Sequence, residues 1–288
     1  MTLKFYVEPS EYTWTDPILS NIPHSLASKE NCDFIFSRKI SWGDTNATFI
    51  QDILNSYAAE TKVVLVFLTS DYNEPFDIPP NVLFFRTGMY KSQKKTNEYL
   101  LPYIYAKGEL LNHIPFDPLA KRGIQPVVGF CGSIASHPSR LKYINKLKMH
   151  PGIKKNFILK NEYWGGNPHN PNVVAEFIKN IRDSYFTLST RGTGNWSARF
   201  YQVMYLGRIP VVINTDMALP FEDRIDWGNV IVYCNSENEI NDKILQFWNT
   251  KDIITAQNVC KDIYNRYLSI EGWCKIITDE VLIPLKPK

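Results

Sequence analysis

The chain has 288 residues, with 32 Lys and Arg against 29 Asp and Glu, a formal net charge of +3, and 14% aromatic residues. That length suits one large or two small domains. The basic residues are scattered apart from Lys91–Lys95, which disfavours a nucleic-acid partner, and no apolar run approaches the ~20 residues that span a bilayer. The opening MTLKFYVEPS is too short and polar for a signal peptide. Five cysteines without close pairing predict free thiols in a reducing, cytoplasmic setting. The sequons at Asn46 and Asn195 would then stay unglycosylated.

The first strand is predicted over Leu3–Val7. Residues Glu8–Ser25, rich in Pro, Ser, Thr and Tyr, read as a loop. A short strand follows at Asp33–Phe36. Asp44 or Thr45 is expected to cap a helix running to about Glu60, with Phe49, Ile53 and Leu54 inward. Lys62–Leu68, with VVLVFL at its centre, reads as a buried strand, and Val82–Phe85 as another. Glu98–Tyr105 is apolar and fits helix or strand. The Pro-rich stretch Ile114–Pro126 reads as a linker. A second set of alternating elements follows: strand Val127–Phe130, a helix through Arg140 to about His150, strand Asn156–Leu159, helix Val173–Ile181. Strand Val230–Tyr233 and helices near Ser236–Trp248, Ile253–Leu268 and Trp273–Leu282 come last. Alternation of this kind predicts an α/β protein with parallel sheets. The division expected is 1–122, 123–270 and a tail, 271–288, that packs back on the first domain.

Between the second set of strands lies the most informative stretch, FTLSTRGTGNWSARFYQVMYLGRIPVVINTDMALPFEDRIDW. An apolar run at Tyr185–Ser189 ends in a Gly/Thr/Asn loop carrying Arg191. A helix opens near Asn195–Ser197, with Trp196, Phe200, Val203 and Met204 on one face and Gly207 as its stop. The strand Ile209–Ile213 follows. A loop feeding a helix in this way can hold an anion on free backbone N–H groups and the helix dipole. Arg191 and Arg199 can grip phosphate oxygens in a bidentate fork, and Ser197 adds a hydroxyl. The five histidines show no metal-ligand spacing, and there is no Asp-x-Asp, Gly-x-Ser-x-Gly or Walker A lysine. Gly192-Thr193-Gly194, with Asp216 beyond the next strand, is most of a dinucleotide fingerprint. Ser197 stands at its third glycine position, however.

The stretch resembles the exostosin-like glycosyltransferases (GT47). It carries Arg191-Gly192, Ser197-Ala198-Arg199, Gly207-Arg208-Ile209-Pro210-Val211, Leu219-Pro220-Phe221 and Asp226-Trp227, in the family's order. The departures are Gln202 for the usual Glu, which binds donor ribose hydroxyls, and Val203 for Ala. The resemblance implies two Rossmann-like domains facing across a cleft (the GT-B architecture), with the acceptor on the first and a nucleotide sugar on the second. It also implies an inverting transfer from a UDP-sugar to a hydroxyl of a glycan, without a bound cofactor and without a metal. Plant and animal relatives are membrane-anchored. Compact anchorless forms occur in bacteria and in large DNA viruses of algae, and a viral chain would work in the host cytoplasm.

On that reading Arg191, Arg199, Gly192, Asn195 and Ser197 hold the diphosphate and Gln202 faces the ribose. Ser133 and Arg140 approach the diphosphate from the other side, and Asn161–Tyr163, with Tyr163 foremost, border the uracil. Asp71, after the most buried strand of the first domain, is the expected base, with Glu8 and Glu98 as alternatives. Its other reading is an Asx turn or cap. With no extra cation for a donor carboxylate, the sugar is expected to be neutral, xylose first. A non-catalytic sugar-nucleotide-binding protein and an NAD-dependent oxidoreductase are the competing functions.

Overall fold

The computed structural model describes residues 2–103, 122–162, 165–167 and 169–287. The first sheet has six strands in the order β2-β1-β3-β4-β5-β6, all parallel. They are β1 (Leu3–Val7), β2 (His24–Leu26), β3 (Phe34–Phe36), β4 (Val63–Leu68), β5 (Val82–Arg86) and β6 (Glu98–Leu100). A parallel sheet covered on both faces needs strands that are apolar throughout. β4 meets that demand, because Leu65 and Phe67 feed one core while Val64, Val66 and Leu68 feed the other. Helix α1 (Asp16–Ser20) contributes Ile18 and Leu19 to the first core, and α2 (Ala47–Ser56) contributes Ile50, Ile53 and Leu54 to the second.

Several expectations for this half are corrected. Residues 8–25 hold α1 and β2 rather than a continuous loop. The cap of α2 is Asn46, whose Oδ1 accepts the Phe49 N–H at 3.0 Å; Asp44 instead accepts the Asn46 N–H at 2.9 Å. That shift of register turns Phe49 outward and puts Ile50 inside. Of the two readings left open for Glu98–Tyr105, strand is found at Glu98–Leu100, and most of the stretch read as a linker lies outside the described residues.

The second sheet is also all parallel, in the order β11-β10-β9-β7-β8. Its strands are β7 (Val127–Ser133), β8 (Lys154–Lys160), β9 (Phe186–Leu188), β10 (Ile209–Ile213) and β11 (Val232–Cys234). β7 runs three residues beyond its expected end, through Cys131, Gly132 and Ser133. Helices α3 (Pro138–Lys148), α4 (Pro171–Arg182), α5 (Ala198–Tyr205), α6 (Trp227–Val230), α7 (Ile240–Thr250) and α8 (Ile253–Ile263) alternate with them. α5 stops as its sequence demands. Gly207 has φ +63°, its N–H reaches the Met204 carbonyl at 3.0 Å, and Arg208 N–H reaches that of Val203 at 2.9 Å. This is a Schellman closure.

After the second sheet the chain returns to the first. α9 (Ile270–Ile277) places Trp273, Cys274 and Ile277 in the core with Leu3, Phe5 and Phe36. The two sheets are also stitched directly. Lys91 N–H reaches the Asp216 carbonyl at 2.7 Å, Tyr90 and Met217 form an antiparallel bridge, and Asn195 N–H reaches Asn73 Oδ1 at 2.6 Å. All five cysteines are buried and free. Among the described residues no helix is long and apolar enough to cross a membrane.

Candidate active site in the interdomain cleft

In the second sheet the connections reverse direction between β7 and β9, which lie side by side. Ligands of open parallel sheets bind beyond the carboxyl ends of strands at such a reversal. A cleft of about 490 Å³ opens there. Its first-domain wall includes Trp42, Thr69, Ser70 and Asp71; the second-domain wall includes Ser133, Arg140, Gly192, Ser197, Arg199 and Gln202.

Arg199 spans the reversal. Its Nη2 donates to the Cys131 carbonyl at 2.7 Å and its Nη1 to that of Leu188 at 3.5 Å, so one guanidinium ties the ends of β7 and β9. The plane lies over the Phe130 ring, 4.3 Å from its centroid. Glycine at 132 makes this approach possible: φ is +145°, and a Cβ there would sit 2.6 Å from Arg199 Nη2. The Arg199 Nε is shut off from solvent without a hydrogen-bond partner, and no described carboxylate forms an ion pair with this side chain. Burial, and then the charge of Arg140, push the guanidinium down to about 9, so it is still cationic at neutral pH.

Arg140 stands in the first turn of α3 and clamps the facing loop. Its Nε donates to the Arg191 carbonyl and its Nη1 to the Ser133 carbonyl, both at 2.9 Å. The same concentration of positive charge is felt at His137, which is held below the usual imidazole range by burial, Arg191 and Arg140. Lys160 also lines the cleft, but it pairs with Glu176. A cavity with arginines at its back and an unsatisfied guanidinium nitrogen is electrostatically complementary to an anion.

The other expected residues divide. Ser133, Gly192 and Ser197 line the cleft, and Ser197, at the N-terminus of α5, makes no side-chain capping bond. Gln202 lines it one turn further along. Arg191 does not line it: its guanidinium folds onto its own loop, donating to the Thr193 carbonyl at 3.1 Å. Asn195 is fully buried in the domain seam, with its side chain bonded to Thr215 as donor and acceptor. The side chain is therefore committed within the second domain, while the Asn195 backbone N–H joins the domains through Asn73. Tyr163 lies outside the described residues.

Among the described lining residues Asp71 is the sole carboxylate. Glu98 is buried in an ion pair with Arg86 at 3.1 Å and also accepts the Lys95 N–H. Glu8 accepts the Tyr57 hydroxyl and sits 3.4 Å from Lys39. Neither lines the cleft. Asp216, the acid of the dinucleotide fingerprint, is taken up by Ser92 across the seam, through both its N–H and its hydroxyl. Sequence reasoning missed Trp42 and Tyr103, which line the first-domain wall. A Trp-Gly pair in a polar loop after a strand was the signal available for Trp42.

Two parallel Rossmann-like domains facing a cationic cleft define the GT-B class of architecture. Residues 130–247 match the Exostosin GT47 domain, so this part of the chain is similar to the exostosin-like GT47 family. It is similar to a rice (Oryza sativa subsp. japonica) "Probable glucuronosyltransferase", 34% identical over 64 residues, covering 22% of this chain and 15% of that one. "Probable glucuronosyltransferase 47 A" of Physcomitrium patens is 31% identical over 86 residues, 30% and 19% of the two chains. The "Exostosin-1 homolog" of Caenorhabditis elegans is 28% identical over 109 residues, 37% and 28%. The match thus spans less than a third of each of these relatives. Among solved structures, a protein described as a UDP-N-acetylglucosamine 2-epimerase from Listeria monocytogenes superposes with a TM-score of 0.40 at 10% identity, covering 95% and 94% of the chains. A TarM variant from S. aureus superposes with 0.39 at 12% identity, covering 82% and 60%.

Proposed function

We propose that the chain is an inverting glycosyltransferase that moves a sugar from a UDP-sugar to a hydroxyl of a glycan. The observation that carries this reading is Arg199, half-buried at the strand reversal with an unsatisfied Nε and no carboxylate partner among the described residues. A diphosphate there would complete its hydrogen bonding. In the reaction the acceptor oxygen attacks the anomeric carbon, and the bond from that carbon to the diphosphate oxygen breaks. The electron pair leaves with UDP, whose growing charge falls to Arg199 and the N-terminus of α5. Arg140 keeps the loop beside them in place. The acceptor proton goes to Asp71 on the facing wall. Gln202 offers an amide to the ribose, a neutral substitute for the usual carboxylate. These side chains balance the diphosphate without requiring a metal.

Xylose remains the first donor to test, since Lys160, the additional lining cation, already has Glu176 as its partner. The names of the relatives favour glucuronate as the second. The test is thermal unfolding with UDP, UDP-xylose, UDP-glucuronate and NAD, each with and without EDTA. A ligand of the native state raises the midpoint by mass action. UDP and one UDP-sugar should stabilise the protein regardless of chelator. A shift with NAD alone would overturn the assignment.

A further inference from the structure

The first-domain wall of the cleft carries a row of rings that the donor chemistry does not use. Trp42 is 43% exposed and lines the cleft. Its ring centroid lies 5.7 Å from that of Trp14 and 6.2 Å from that of Tyr103. Tyr103 in turn lies 5.6 Å from Trp196, which belongs to the donor-side loop. The row therefore runs from the outer wall to the point where the domains meet.

Trp42 is held there by backbone. Gly43 turns the chain with φ +75°, and its N–H donates to the Thr69 carbonyl at 2.9 Å, pinning the Trp-Gly turn to the end of β4. Thr69 also lines the cleft. It is 4% exposed and its Oγ1 has no partner. Trp196 Nε1 is likewise buried and without a partner. Buried polar atoms of a native protein are normally satisfied. Flat aromatic surface interleaved with unsatisfied hydrogen-bond groups matches one ligand chemistry well: a saturated ring with C–H faces and hydroxyl edges.

We propose that Trp42 and Tyr103 form the stacking platform for the acceptor, and that the acceptor is an oligosaccharide whose sugar ring lies on Trp42 with its reactive hydroxyl directed along the row toward Asp71. Thr69 Oγ1 bonds a hydroxyl of the same ring. The proposal rests on the glycosyltransferase reading only for the identity of the bound glycan as acceptor. The platform itself stands on the rings and the unsatisfied hydroxyl. Because the row extends outward, an oligosaccharide should bind better than a single sugar.

The test is direct binding of xylohexaose, cellohexaose and chitohexaose, each followed by tryptophan fluorescence with saturating UDP present and absent. At least one of them should bind, and more tightly than its monosaccharide. Trp42→Ala should weaken that binding about tenfold or more, Trp42→Phe should retain most of it, and the UDP-induced thermal shift should be unchanged in both. The thermal shift reports the donor site and the fold separately from the platform. A wild-type protein that binds none of the three, or binding that is indifferent to Trp42→Ala, overturns the platform. Loss of the UDP shift in the wild type overturns the donor reading while leaving glycan binding to be judged on its own.

Discussion

Arg199 and Arg191 entered the sequence reading as equals, eight residues apart in one loop-helix junction, and the fold separates them. A guanidinium in the first turn of α5 can reach back across two strand ends, whereas one in the loop finds its own carbonyls closer. Which arginine faces a cavity depends on the turn between β9 and α5, and no periodicity encodes that turn. Replacing Arg199 by Ala removes a donor held toward developing negative charge. Transfer should fall roughly a hundred- to a thousandfold, with an unchanged circular-dichroism spectrum. Near-normal turnover would leave the side chain a strut between strands. The position of Asp71 on the cleft wall was legible for a simpler reason, since it follows the most continuous apolar run in the chain and parallel strands end where ligands bind. Where the alternatives Glu98 and Glu8 lie was visible only in three dimensions: both are off the cleft wall, Glu98 against Arg86 and Glu8 against Tyr57 and Lys39. Asp71→Asn keeps the shape and removes the proton acceptor. Steady-state transfer should drop about a hundred- to ten-thousandfold while UDP-sugar affinity, measured on the same preparation, holds.

Elements announced by long apolar runs or by a glycine stop were readable, and short ones in polar surroundings were not. β4, β10 and the end of α5 belong to the first group. α1 and β2 belong to the second, because their few apolar residues gain meaning only from the sheet they complete. The cap of α2 shows the limit of local rules. Asp44, Thr45 and Asn46 can all cap, and the core chooses Asn46 by requiring Ile50 inside. α5 matters most, since its N-terminus borders the cleft and its C-terminus is fixed by the left-handed turn at Gly207. Gly207→Ala forces a Cβ into that turn. It should cost about 1 kcal/mol, read as a lower urea midpoint at unchanged slope. Donor binding should survive, because the strained turn is at the far end of the helix.

At the scale of the whole molecule, one core of the first domain is not built from one contiguous stretch of chain. Trp273 is fully buried among the residues of β1, β3 and β5, and its Nε1 donates to the Leu100 carbonyl at 3.1 Å. Trp273→Ala should cost about 3–5 kcal/mol, measured by denaturant unfolding, although it lies outside the cleft. The residues that close the first core follow the entire second domain in the chain. During synthesis, domains ordinarily fold in turn as they emerge from the ribosome. Here the first sheet emerges early but has to wait, with one apolar face covered only in part by α1, until the second has been made and α9 is released. A nascent chain stalled before Ile270 would expose that face and be a substrate for chaperones or for aggregation, whereas the finished chain would lock both domains in a single late step.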